Sequence, residues 1–131
     1  MYAALTEAEN ALDEDEVPIG AVVVHNNRII GRGYNQTEKL NDPTAHAEML
    51  ALTAAANHLQ SKYLTECEIF ITIEPCVMCT GAMLNARIGT LYFGSYEPKF
   101  GACGSLYNLA NDGKYNHTIK VYNGIYSDES K

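Results

Sequence analysis

One histidine and two cysteines in this 131-residue chain have the types and spacing of a metal site. His46 lies in the segment Ala-His-Ala-Glu, and Cys76 and Cys79 lie in Pro-Cys-Val-Met-Cys. Zinc binds imidazole nitrogen and thiolate sulfur, and three protein ligands leave its fourth coordination position open for a reaction. The sequence therefore predicts one catalytic zinc ion per chain, held by His46, Cys76 and Cys79.

Glu48 lies two residues after the predicted histidine ligand. A carboxylate at this distance from a metal can accept a proton from water and pass it to a substrate nitrogen. His-x-Glu followed by Pro-Cys-x-x-Cys is also the known signature of zinc-dependent nucleobase deaminases. The two motifs together predict hydrolytic deamination of an aromatic base, with Glu48 as the residue that moves protons.

Two other uses of a Cys-x-x-Cys pair are less compatible with this chain. A redox-active pair would leave His46 and Glu48 without a role. A structural zinc site would need a fourth ligand, and the spare cysteines are Cys67 and Cys103. Of these, Cys67 lies at the far end of the predicted strand that leads to Cys76. A catalytic metal site is therefore favoured.

The composition limits the class of protein. The formal charge is −7, from 16 acidic and 9 basic residues, which argues against a generic nucleic-acid-binding protein. An acidic run within residues 7–16 is interpreted as the solvated face of a first helix. No apolar stretch approaches the roughly 20 residues that cross a bilayer, and no charged-then-apolar leader opens the chain. We expect one cytoplasmic deaminase domain over residues 1–131, without a membrane segment.

Hydrophobic periodicity and turn signals predict alternating helices and strands, with a hairpin turn at Asn26-Asn27. The expected fold is a three-layer α/β/α sandwich around a central mixed five-stranded sheet. The stripe that should pack the first helix is Met1, Leu5, Ala8 and Leu12. The predicted helices cover residues 1–14, 44–60, 75–86 and 105–110, and the predicted strands cover 17–25, 28–34, 68–73, 88–94 and 119–122.

Helix starts are expected to bring the ligands together. His46 and Glu48 would point in different directions inside a helix, so they can reach one site only from a helix N-terminus. Asp42-Pro43 is a start signal in the right place. Cys76 and Cys79 follow a strand into the first turn of a helix, whose positive end favours thiolate over thiol. The site should therefore lie at the carboxyl edge of the sheet.

The wider strings around these motifs resemble the cytidine-deaminase-like superfamily and, within it, the bacterial tRNA-specific adenosine deaminases. The resemblance implies a cytidine-deaminase-like fold, a homodimer, and conversion of adenosine to inosine at the wobble position of a tRNA anticodon stem-loop. It also implies a C-terminal helix, often ending in basic residues, which is absent after Lys131. The strings that carry the resemblance are residues 16–22, 42–48, 74–81 and 101–106, and the pair Asn116-His117.

The resemblance also implies which residues contact the substrate. Ile19 would pack on the adenine ring, Asn35 would hydrogen-bond it, and the backbone N–H of Ala47 would help to fix it. The residues implied to lie near the anticodon loop are Glu97, where the family usually has Asp, Lys99 and Asn116.

An aromatic and basic group late in the chain is a candidate platform for flanking nucleotides, although each tyrosine in it could instead pack inside the protein. Its members are Tyr96, Lys99, Tyr107, Lys114, Tyr115, His117 and Lys120. Binding of RNA there should weaken as salt rises, because the net charge must be overcome locally.

Two other functions stay open from the sequence. A deaminase of a free base or nucleotide, such as guanine, cytosine or deoxycytidylate, would use the same zinc machinery and would differ only at the rim of the pocket. A non-catalytic zinc-binding subunit that presents RNA would be expected to have lost the acid-base residue, whereas this chain has Glu48.

Overall fold

A computed structural model describes residues 1–111, 113 and 117–126 of the chain. None of the helices in these residues is both long and apolar enough to cross a bilayer. The elements in chain order are α1 (Tyr2–Asp13), β1 (Gly20–His25), β2 (Arg28–Tyr34), α2 (Ala47–Leu59), β3 (Glu68–Ile73), α3 (Val77–Ala86), β4 (Thr90–Ser95) and β5 (Lys120–Tyr122).

The five strands form one mixed sheet in the order β2-β1-β3-β4-β5. β1 runs antiparallel to both β2 and β3, whereas β3, β4 and β5 run parallel. Helix α1 packs on one face through Gly20, and α2 packs on the other face through Gly31 and Gly33. Helix α3 lies beside α2. The predicted three-layer α/β/α fold is therefore confirmed.

The hairpin between β1 and β2 follows from its turn residues. Asn26 and Asn27 both have positive φ, 51° and 62°, as a two-residue type I′ turn requires. Asparagine tolerates this left-handed region better than other residues with a side chain. The predicted hairpin and its turn are confirmed.

Glycines on the sheet let the helices approach closely. A Cβ built on Gly31 would lie 2.3 Å from the carbonyl oxygen of Ala51, and one on Gly33 would lie 2.3 Å from that of Ala47. Because small residues meet in this contact, glycine on the sheet and alanine on α2, the first turn of the helix lies close to the edge of the sheet. The position of His46, just before that turn, depends on this contact.

We expect Gly31→Ala to destabilise the fold by about 1–3 kcal/mol, because the added methyl group overpacks a contact with backbone. Gly81→Ala in α3 is the matched control, since a Cβ there meets nothing within 4 Å. The control should be neutral or stabilising by up to about 1 kcal/mol, because alanine favours a helix interior over glycine. Urea unfolding of both variants measures the two values. Equal stability of the two variants would contradict this account of the α2 contact.

The packed face of α1 differs from the predicted stripe. Leu12 is 59% exposed, and the buried residues are Ala4, Glu7, Ala8 and Ala11. The reason is the close approach at Gly20, where a Cβ would lie 2.0 Å from the carbonyl oxygen of Ala4. Three alanines and Glu7 therefore face the sheet, and Leu12 turns outward.

The acidic run in residues 7–16 is only partly a solvated face. Glu9, Asp13, Glu14 and Asp15 are exposed, as expected, but Glu7 and Glu16 are buried. Glu7 lies 3.7 Å from the guanidinium of Arg32. Glu16 accepts backbone hydrogen bonds, which are described with the site below.

Several predicted boundaries are wrong. Helix α2 begins at Ala47 instead of 44, because the Asp42 carboxylate accepts hydrogen bonds from the N–H and hydroxyl of Thr44 and forms a turn there. The predicted helix over 105–110 is absent, and Cys103 pairs with Asn108 in an isolated bridge. Strands β1, β4 and β5 each begin one to three residues later than predicted.

Candidate active site

The ends of four strands meet at one edge of the sheet. Strands β2, β3 and β4 end there and β1 begins there, because β1 is antiparallel to β2 and β3 while β3 and β4 are parallel. The polypeptide just outside this edge therefore comes from four separate places in the chain. These places supply Ile19, Asn35, Glu74, Cys76 and Glu97.

The three candidate metal ligands lie at the N-termini of two helices. His46 is the N-cap of α2, Cys76 is the N-cap of α3, and Cys79 lies in the first turn of α3. Both N-cap residues have extended backbone. The structure therefore brings the three residues together, and their ligand atoms lie within 4.8 Å of one another.

The distances among these ligand atoms suit zinc. His46 Nδ1 lies 3.7 Å from Cys76 Sγ and 3.5 Å from Cys79 Sγ. A tetrahedral ion with bonds of about 2.3 Å to sulfur and about 2.0 Å to nitrogen would separate the nitrogen from each sulfur by roughly 3.6 Å. His46, Cys76 and Cys79 offer atoms that all lie within 4.8 Å of one another. The donor set and its spacing therefore fit a zinc ion with three protein ligands.

The thiols of this cluster are prepared for metal binding. The hydrogen bond from Cys79 and nearby backbone N–H groups at the start of α3, with the charge of His46, lower the pKa of Cys76 to about 5. The same contact with Cys76, and burial, raise the pKa of the Cys79 thiol. Binding of zinc releases the protons of both thiols, because the ligand form of cysteine is the thiolate.

Glu48 is the second residue of α2 and is 4% exposed. Burial raises the pKa of its carboxyl group, and the charge of Cys76 acts in the same direction, although a hydrogen bond with its own backbone N–H partly opposes them. A carboxyl group with a raised pKa exchanges protons more readily near neutral pH. Beside the ligand cluster, this side chain is suited to general acid-base chemistry.

The three residues implied to contact the base lie at the same edge of the sheet as the cluster. Asn35 follows β2 and is buried, with its amide nitrogen 3.4 Å from the carbonyl oxygen of Val17 and its side-chain oxygen 3.4 Å from the N–H of Thr37. Ile19 is half-buried and accepts the backbone N–H of Asn35. Ala47 is the first residue of α2, so its N–H has no acceptor within the helix.

The residues implied to contact RNA have different environments. Glu97 is half-buried and accepts the backbone N–H of Lys99 at 3.1 Å, while Lys99 is exposed. Asn116 lies outside the described residues, as do Lys114, Tyr115 and the segment 127–131. The predicted contact at Asn116 therefore stays a prediction.

Part of the candidate platform lies at the wrong edge of the sheet. Lys120 pairs with Thr90 at the start of β4, and a ring nitrogen of His117 lies 2.6 Å from the carbonyl oxygen of Ile88. Tyr96 follows the other end of β4, roughly 16 Å away along the strand. His117 and Lys120 therefore do not border the site, and the prediction that they form one platform with Tyr96 is wrong.

Two buried carboxylates that hold the rim of the site were not predicted as site residues. Glu16 accepts the backbone N–H groups of Glu38 and Lys39 at 3.1 and 2.7 Å, in the loop after Asn35. Glu74 accepts hydrogen bonds from the segment after β4. The sequence did contain a signal for Glu74, since it is a charged residue at the end of an apolar strand and directly before Pro-Cys.

Known proteins that are similar to this chain are deaminases, which is the class that the site indicates. A family model described as MafB19-like deaminase matches residues 1–127. A tRNA-specific adenosine deaminase of Aquifex aeolicus is 43% identical over 120 residues, which cover 92% of this chain and 80% of that protein. Fold, site and family model thus define a deaminase of the cytidine-deaminase-like class.

Solved structures narrow the class. One solved structure comes from a study of A-to-I editing by tRNA:A34 deaminases at the wobble position of transfer RNA. It is similar to this chain with a TM-score of 0.95 and 42% identity, and the match covers 99% of this chain and 94% of that chain. A guanine deaminase from Nitrosomonas europaea matches with a TM-score of 0.82 and 25% identity, over 97% of this chain and 76% of that chain. The chain belongs to the tRNA-specific adenosine deaminase family.

Proposed function

We propose that this protein converts adenosine to inosine at the wobble position of a tRNA anticodon loop. The observation that carries the proposal is the convergence of His46, Cys76, Cys79 and the buried Glu48 at one sheet edge, in a chain of this family. The reaction adds water to the carbon that bears the amino group of adenine and releases ammonia.

Zinc is the metal we propose, one ion per chain, held by the His46 nitrogen and the two thiolates. When bound, it supplies a nucleophile at neutral pH because it lowers the pKa of water. Glu48 would accept one proton from the attacking water and give it to a ring nitrogen of the adenine. It would then take the second proton from the hydroxyl group added to the ring and give it to the amino group, which leaves as ammonia while the C=O bond of inosine forms.

The base is held by the residues that border the cluster. The side chain of Asn35 offers both a donor and an acceptor to the edge of adenine. Its present hydrogen bonds, at 3.4 Å, are long and therefore weak, so hydrogen bonds to adenine can replace them. The Ala47 N–H at the start of α2 is a further donor, and Ile19 offers apolar surface to the ring. These contacts place the amino-bearing carbon against the metal site.

An RNA loop supplies the adenine at low cost, because loop bases are already partly unstacked. Apolar and aromatic side chains in the segment after β4 offer surfaces for stacking of flanking bases. Those that are exposed are Tyr96 (49%), Phe100 (65%), Leu106 (54%) and Tyr107 (53%). Lys99 in the same segment adds a positive charge, and Glu97 and Asn116 complete the contacts that we propose for the anticodon loop.

The substrate assignment is tested by incubating the protein with an adenosine-containing anticodon stem-loop, free adenosine, free cytidine and guanine. We expect inosine from the stem-loop and at least 10²-fold lower kcat/KM for adenosine, since remote contacts position the base. Guanine is included because of the structural likeness to a guanine deaminase. Efficient turnover of a free base without turnover of the stem-loop would overturn the assignment.

The proposal includes a homodimer and a cytoplasmic location. The family resemblance implies the dimer, which sedimentation of the purified protein measures. Free thiols stay reduced in the cytoplasm, and the described cysteines Cys67 and Cys103 are free and buried.

A further inference from the structure

Glu74 is a buried charge that the deamination chemistry does not use. The residue is 2% exposed and lies between the end of β3 and the predicted ligand Cys76. One carboxylate oxygen accepts the backbone N–H of Glu97 at 3.0 Å and the hydroxyl of Ser105. The other accepts the backbone N–H groups of Cys103 and Ser105 at 2.8 and 2.9 Å. All four donors come from the segment after β4.

This segment, residues 96–107, contains no helix and no named strand. It nevertheless carries the four exposed apolar side chains that we assign to the RNA loop. Gly101 packs directly on the Glu74 carboxylate, since a Cβ there would lie 2.3 Å from it. The segment is also tied to the metal side by the Ala102 N–H, which donates to the carbonyl oxygen of Pro75 at 2.9 Å.

An ionised carboxylate suits this position because it only accepts hydrogen bonds, and each of its oxygens here receives two. Hydrogen bonds to a charged acceptor are about twice as strong as neutral ones. An amide of the same shape would turn two N–H donors toward two donors of the segment. Donors left without acceptors in a buried place destabilise the folded state, because they have lost their hydrogen bonds to water.

We propose that Glu74 is a positioning residue, which fixes the 96–107 segment relative to the metal site and thereby determines how tightly the RNA loop binds. This inference rests on the proposed function, because it assigns that segment to RNA contacts. Glu74 acts on substrate binding and not on the chemical step, since its four described bonds go to the segment and none of them goes to Cys76 or Cys79.

The test compares Glu74→Gln with the exposed control Glu66→Gln, which removes the same charge from the other end of β3. Hydrogen exchange of the amides of residues 97, 103 and 105 should accelerate at least tenfold in Glu74→Gln and stay unchanged in the control. The KM for an anticodon stem-loop should rise tenfold or more, while kcat changes less than threefold, as for a lost binding contact. Zinc content should stay at one ion per chain.

Unchanged exchange at residues 97, 103 and 105 would overturn the inference, and so would loss of zinc together with an equal loss of kcat. If Glu74→Gln does not fold, Ser105→Ala removes the single side-chain donor and should raise KM two- to fivefold, with unchanged KM as the contrary result. A wild-type protein that fails to deaminate the stem-loop refutes the proposed function instead. The exchange measurement needs no RNA and distinguishes the two failures.

Discussion

Glu48→Gln is expected to lower turnover of an anticodon stem-loop by a factor on the order of 10² or more, with zinc content unchanged. The glutamine amide has the shape of the carboxylate but cannot accept the proton from water. Because Glu48 is 4% exposed, bulk solvent does not readily replace it as a proton acceptor. Single-turnover kinetics with saturating enzyme isolate this chemical step from binding and product release.

The control for this variant is again Glu66→Gln, which removes an exposed carboxylate outside the site and should retain full activity. Stem-loop affinity of Glu48→Gln should stay within a few-fold of the wild type, because the residue acts on the reacting atoms. Near-normal turnover by Glu48→Gln would show that another group moves the proton. It would also reopen the alternative of a subunit that only presents RNA.

Cys79→Ala is expected to lower zinc affinity by at least about 10² and to abolish activity with it. Removing Cys79 Sγ, which lies 3.5 Å from His46 Nδ1, leaves two protein ligands, and a catalytic zinc site has three. Zinc content after dialysis measures the loss. A chelator should lower the Tm of the wild type, because a metal that binds only the folded state stabilises it, and should leave the Tm of Cys79→Ala unchanged.

Cys103→Ala is the matched control for this second variant. Cys103 is also buried, and its Sγ lies 3.4 Å from the hydroxyl oxygen of Thr80. Burial raises the pKa of its thiol to about 11, so the sulfur keeps its proton at neutral pH. Because Cys103 is not part of the described cluster of His46, Cys76 and Cys79, the control should bind zinc normally. Full zinc occupancy in Cys79→Ala, or its loss in Cys103→Ala, would contradict the assignment of the ligands.

Short-range patterns in the sequence were enough for much of the fold. The Asn26-Asn27 turn follows from residues that tolerate positive φ. Strands β2 and β3 have the predicted bounds, because a strand's period and its turn signals are both local. The packed face of α1 could not be predicted from such local patterns. It depends on Gly20, which permits a helix backbone to approach the sheet and excludes the larger Leu12 from the contact.

For the candidate site, the sequence by itself predicted the chemistry and the residues that would carry it out. His46, Cys76, Cys79 and Glu48 are recognisable because metal ligation and proton transfer require particular side chains at short spacings. Only the tertiary structure decided how the rim is held. Glu74 bonds to residues that are 23 to 31 positions later in the chain, and Glu16 bonds to residues 22 and 23 positions later. No local pattern specifies such partners, because they come together only when separate strands end at the same edge of the sheet.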